Sequence, residues 1–217
     1  MTTQNTLNPS QSNLWQSYGG LINALIAVML FSLTVPMTQL ALTVFPPELV
    51  ALLRSLLAGF GSLFMVMALG WRLPAKSELK GLLLGGAAVT LIFPYTLSLA
   101  LGQWSASNMG VVLAAIPLIT ALAGTLLFNE RHPKLFWLSA FLGAAILMFF
   151  AYTQSSGHFH YSVLIMLVAA GVGYGYGGNV AKTLGGWQTI CWMCVLYMPV
   201  SALGLAFFVS QDSFSWD

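Results

Sequence analysis

Ser105-Ala-Ser-Asn-Met-Gly110-Val-Val-Leu-Ala-Ala-Ile-Pro117-Leu-Ile-Thr120-Ala-Leu-Ala-Gly124-Thr-Leu-Leu-Phe128, followed by Asn129-Glu130-Arg131-His132-Pro133, decides how this chain is read. No charged residue occurs for 22 positions over 107–128, and a helix needs about 20 to cross a hydrocarbon core. The stretch reads as a membrane span. At about 100° per residue, Gly110, Ala114, Pro117, Ala121 and Gly124 fall within about 80° of one another, which makes one helix face of small residues. A second helix can approach such a face closely. Pro117 has no N–H for the carbonyl of Leu113, and its ring crowds that turn, so a kink or a freed acceptor is predicted in mid-membrane. Two roles stand open for it, a tolerated proline in a packing helix and a cavity-lining hinge.

Composition extends this reading to the whole chain. Hydrophobic residues make up 58% and charged residues 6%, against roughly a quarter charged in an ordinary soluble domain, so water is not the solvent. Apolar segments run at about 20–43, 48–69, 81–101, 107–128, 135–152, 161–181 and 189–210, each close to one bilayer thickness. The expected fold is an all-α polytopic membrane protein of seven spans in contact with the lipid bilayer. Residues 1–18 are polar, without Lys or Arg, and show no cleavage site after a short apolar core, so they read as a disordered tail.

Arg72, Lys76 and Lys80 fall between the second and third segments, Arg131 and Lys134 between the fourth and fifth, and Lys182 after the sixth. All three positions lie on one side. The loops at 44–47, 102–106 and 153–160 contain no Lys or Arg, so the positive-inside rule places the N-terminal tail in the cytoplasm.

Polar groups inside the spans are few. In the first, Asn23, Thr34 and Thr38 lie within about 60° on a helical wheel, while Ser32 and Gln39 point elsewhere. In the second, Pro47 suits a first helical position and Glu48 complements the helix dipole. Arg54, six residues on, is an intramembrane charge and marks a functional site by default. Three receivers are open to its guanidinium: outer headgroups, backbone carbonyls freed in a neighbouring span, or a substrate carboxylate. In the third span Pro94 releases the carbonyl of Thr90, and Tyr95, Thr96 and Ser98 follow. Their hydroxyls either line a pocket or bond the carbonyls of their own helix.

The sixth span contains Gly171-Val-Gly173-Tyr174-Gly175-Tyr176-Gly177-Gly178-Asn179. Such a run weakens a helix by about 1 kcal/mol per glycine relative to Ala, so a bend, a break or very close helix packing is expected there. No strand precedes it and no Gly-Lys-Ser/Thr follows, so it is not a phosphate loop. Cys191 and Cys194 read as small apolar side chains in the last span, and His158 and His160 as part of a solvated loop. No metal and no cofactor is expected. A basic stripe for nucleic acid is absent from the sequence.

The small-rich span with central Pro117-Leu118, closed by Leu127-Phe128-Asn129-Glu130-Arg131, is similar to the fourth span of the EamA-like carriers of the drug/metabolite transporter superfamily. Ala100-Leu101-Gly102-Gln103-Trp104-Ser105-Ala106 resembles the family's Ala-Leu-x-x-x-Ser-Ala link between spans three and four. Pro46-Pro47 with Ala51-Leu52-Leu53-Arg54 and Ala58 resembles the opening of its second span. The chain departs from the family at Phe31-Ser32-Leu33-Thr34, where Trp-Gly-x-Asn is frequent, and at Gln39, where a Lys is frequent.

The resemblance implies two inverted five-span repeats. Shifting the chain by 140 places Thr43 on Thr183 and Glu48 on Gln188, and a five-span repeat must cross in the opposite sense on its second pass. The expected organisation is a cytoplasmic tail at 1–18, a first repeat at 19–152, and at 153–217 the first two spans of a second, the last three being supplied by missing C-terminal spans or a second chain. The implied function is a secondary transporter in the bacterial inner membrane, moving amino acids, amines or drug-like compounds by alternating access. The rival is a truncated or non-transporting subunit or remnant of such a carrier. An intramembrane hydrolase would want a His inside the spans, and none is there. Substrate-cavity candidates are Thr34, Thr38, Arg54, Thr90, Tyr95, Ser98, Asn108, Thr120, Tyr174 and Asn179; hinge or packing candidates are Pro94, Gly110, Pro117, Gly124 and Gly175.

Overall fold

The computed structural model describes residues 21–23, 25–154 and 161–211; the tail at 1–18, His158 and His160 lie outside them. Regular structure among the described residues is all helical, as lipid requires of a chain that must satisfy its own backbone. In chain order the helices are α1 (Leu21–Ala41), α2 (Pro47–Ala68), α3 (Lys76–Leu101), α4 (Ala106–Phe128), α5 (Lys134–Gln154), α6 (Tyr161–Leu184) and α7 (Gly186–Ser210). Six of them, all but α5, are long and apolar enough to cross a membrane; in α5 the shorter stretch Lys134–Leu147 meets the apolar criterion. The chain is a multi-pass membrane protein. It divides into compact units Met1–Met37 and Thr38–Asp217, and the packing below is that of the second.

Local chemistry sets the helix ends. Pro47 opens α2 with Glu48 in its first turn, as expected of a residue lacking the N–H that a first turn leaves unused. The Glu78 carboxylate accepts the Ala75 N–H at 2.8 Å and so caps α3. At the start of α4, Ser105 Oγ accepts the Asn108 N–H at 3.3 Å, and Gln39 Oε1 reaches across from α1 to accept the Ala106 N–H at 2.9 Å. Asn129 ends α4 in the left-handed region at φ 54, where Asn is tolerated.

Helix α6 occupies the centre, packed by α3, α4 and α7, while α2 runs along α7 and touches α3, and α5 rests on α4. The glycine run explains this position. It forms unbroken helix, so of the three expected outcomes close packing is the one found. A Cβ at Gly171 would collide with Ile119 of α4, and one at Gly175 would stand 3.3 Å from Ala123 Cβ. One at Gly173 would collide with Val89 of α3 and lie 3.3 Å from the Gly85 carbonyl oxygen. Alternate glycines therefore serve two neighbours, and both approach until backbone meets side chain.

The registers fix the directions. Ile119 faces Gly171 and Ala123 faces Gly175, so α4 and α6 run parallel. Val180 faces Gly81 and Gly173 faces Val89, so α3 and α6 run antiparallel. Leu52 meets Gly204, Met198 meets Gly59 and Cys191 Sγ lies 3.8 Å from Met65 Sδ, so α2 and α7 are antiparallel. The small face expected on α4 is not the seam. Gly110, Ala114 and Pro117 are exposed, Gly124 lies under the Glu130 side chain, and α4 meets α6 through Ile119 and Ala123. The small residues of that contact belong to α6.

Candidate functional site

Two prolines disturb the bundle. In α3 the residues Ala87–Ile92 form a π-helical turn, in which the Phe93 N–H donates to the Ala88 carbonyl. Pro94 brings no N–H for the carbonyl of Thr90; that oxygen instead accepts the Ser55 hydroxyl of α2. The freed acceptor predicted from the sequence is present, and a neighbouring helix satisfies it. Thr90 donates its own hydroxyl to the Gly86 carbonyl at 2.7 Å, Thr96 to Ile92 at 2.7 Å and Ser98 to Pro94 at 2.9 Å. These are bonds to their own helix. Tyr95 is exposed.

In α4 the disturbance takes another form. The helix is interrupted at Ala114 and Ala115 and resumes as Ile116–Phe128 with Pro117 in its first turn. The Ala114 N–H still reaches the Gly110 carbonyl at 3.3 Å and the Ala115 N–H the Val112 carbonyl at 3.0 Å, so the interruption is a tightened turn in which both residues keep right-handed helical dihedrals. Beside the break lies a cleft of about 280 Å³ lined by Ala114, Ala115, Pro117 and Leu118 of α4 and by Phe136, Ala140 and Gly143 of α5, among others. A Cβ at Gly110 or Gly143 would meet nothing within 4 Å. Asn108 and Thr120 are half-buried on the same helix.

Arg54 stands where α2 faces α6 and α7. Tyr174 of α6 and Cys194 of α7 lie within electrostatic range of its guanidinium, and Tyr174 is half-buried on the central helix. Arg54 Nη1 is buried with no hydrogen-bond partner. Holding a guanidinium unpaired in the bilayer interior costs at least about 2.5 to 3.5 kcal/mol at mid-depth. On α7, Ser201 Oγ is likewise buried and unpartnered. Of the remaining candidates, Thr38 is buried, Asn179 is exposed, and Thr34 belongs to the first unit.

The basic residues gather at one end. Arg72 donates to both carboxylate oxygens of Glu78, at 3.0 and 2.7 Å, and the Thr183 hydroxyl of α6 donates to the same carboxylate at 2.9 Å. Lys182 Nζ donates to Glu130 Oε1 at 2.7 Å, and that bond, then the Lys182 charge, hold the Glu130 carboxyl below its usual range. The turns after α2, α4 and α6 are thereby tied together. Sequence reasoning placed these residues on one side but gave no pairing, because 52 positions separate Glu130 from Lys182 and 105 separate Glu78 from Thr183.

Comparison with known proteins matches this sequence to a family. The description of the EamA-like transporter family fits residues 18–152. A protein of Bacillus subtilis (strain 168) named as an uncharacterized transporter, YdeK, is 33% identical over 199 residues, which cover 90% of this chain and 69% of that protein. No solved structure matches. A bundle of apolar helices, the motifs on α2 and α4 and a match over most of the first five helices lead to one conclusion: the chain belongs to the EamA-like transporter family, within the drug/metabolite transporter superfamily, and is a membrane transporter of that type.

Proposed function

We propose that the chain is a secondary carrier that moves small metabolites, such as amino acids, amines or drug-like compounds, across the bacterial inner membrane by alternating access. The carrying observation is the interruption of α4 at Ala114 and Ala115 beside a core in which α2, α3, α6 and α7 make close glycine contacts. A carrier needs elements that move against a fixed frame, and the break at Ala114 and Ala115 supplies the joint. The positive-inside rule turns the end holding Arg72, Lys76, Arg131 and Lys182 to the cytoplasm, with the N terminus on that side. The antiparallel contact of α2 with α7 supports an inverted repeat: a shift of 140 places Met198 on Ala58, the neighbour of the Gly59 it touches.

The test is flux. Purified chain in proteoliposomes, loaded with unlabelled amino acids, amines or a cationic dye, should accumulate the labelled counterpart by exchange. A ten-span relative serves as comparator. Exchange by the relative and none by this chain would favour the reading of a non-transporting subunit.

A further inference from the structure

We infer that the transported compound carries a carboxylate, and that Arg54 receives it between α2, α6 and α7; this rests on the carrier reading above and narrows its substrate class. Among the described residues, the carbonyl freed on α3 and the carboxylates have other positions or partners. The carbonyl that Pro94 frees on α3 is taken by Ser55, the neighbour of Arg54. Glu78 is held by Arg72, Ala75 and Thr183, and Glu130 by Lys182. Glu48 sits in the first turn of α2, and the described ion pairs do not join it to Arg54. Nor does Nη1 turn outward to headgroups, since that atom is buried.

The surroundings favour an acceptor-only guest. Ser201 lies on α7 between Met198, which meets Gly59, and Gly204, which meets Leu52, so it faces α2 at the level of Ser55. Its hydroxyl is buried and unpartnered, as Arg54 Nη1 is. The Tyr174 side chain of α6 lies within electrostatic range of the guanidinium. A carboxylate is acceptor-only and carries the single negative charge that one arginine balances. An ammonium there would meet a like charge.

Thermal unfolding of the purified chain in lipid nanodiscs tests this. The probes are sodium salts of small amino, 2-oxo and aromatic acids, their primary amides, and sodium chloride and phosphate at equal ionic strength. At least one acid should raise the midpoint while its amide and the inorganic salts do not. Arg54→Gln should abolish that shift yet leave the ligand-free midpoint at or above the parent's, because it loses no bond within the chain. Arg54→Lys, which keeps charge without the planar fork, should reduce the shift, as should Tyr174→Phe. No response to any acid, an equal response to an amide or to chloride, or an unchanged response in both Arg54→Lys and Tyr174→Phe overturns the carboxylate site. Flux assays separate it from the carrier reading: exchange of amines with no acid response removes the site alone, whereas no exchange of any compound removes both.

Discussion

Pro94 and Pro117 sit in helices of the same bundle and do opposite things. Around Pro94 the backbone takes up its extra residue in a π turn, the released carbonyl finds Ser55, and the segment packs against α2 and α6, with Ile92 and Tyr95 exposed and a cleft of about 620 Å³ lined in part by Ala87, Ala88 and Ile92. Around Pro117 the helix stops and restarts, no other helix covers Gly110, and the cleft with α5 remains open. A proline removes one donor in either case. What surrounds it decides the outcome, and at Pro94 the Ser55 hydroxyl of α2 supplies a donor to the released carbonyl.

The contrast should be sharpest in the glycines that flank the two sites. Gly173→Ala places a Cβ against Val89, Ala88 and the Gly85 carbonyl, and overpacking of this kind costs about 1–3 kcal/mol. Gly110→Ala meets nothing and should gain up to about 1 kcal/mol from helix propensity. Equilibrium unfolding in mixed micelles reads both; equal losses would erase the distinction between core and open side. Ser55→Ala comes next, because it leaves the buried Thr90 carbonyl without its donor from α2. A loss of about 1–3 kcal/mol is expected, and a neutral result would mean that Pro94 needs no repair.

Pro117→Ala returns an N–H to an exposed turn and leaves no void, so stability should change by within about 1 kcal/mol while exchange flux falls. Unaltered flux would reduce Pro117 to a tolerated kink. The smallest effect is on acid. Lys182 lowers the folded-state pKa of the Glu130 carboxyl, so its contribution is complete above the unfolded carboxylate value and disappears as pH falls through the folded one, from about pH 5 downward. Parent protein should therefore lose more stability on acidification than Glu130→Gln, and parallel titrations would show that the tie between α4 and α6 carries no weight.

Much of this was legible beforehand. The apolar segments, the shared side of the basic loops, the freed Thr90 carbonyl and the own-helix bonds of Thr96 and Ser98 all follow from rules acting within a few residues. Contacts between distant positions were not legible. Counting small residues on α4 drew attention to Gly110, Ala114 and Pro117, yet the close approach is made by Ile119 and Ala123 resting on Gly171 and Gly175, because an interface needs small residues on only one of its helices. Gln39 departs from the Lys frequent in the family, and its reach to the Ala106 N–H spans 67 positions. Arg54 was found as a lone charge; that Ser55 had already taken the neighbouring carbonyl required the fold.

Hydrogen exchange of the wild-type chain in lipid nanodiscs tests the central claim most directly, since it reads both proline sites in one sample and needs no known substrate. Peptides covering 110–119 should exchange faster than those covering 87–96, because the first segment spans the helix interruption at Ala114 and Ala115 and the second is repaired by the Ser55 hydroxyl of α2. Equal protection of the two, or faster exchange in 87–96, would contradict a joint in α4 moving against a fixed core.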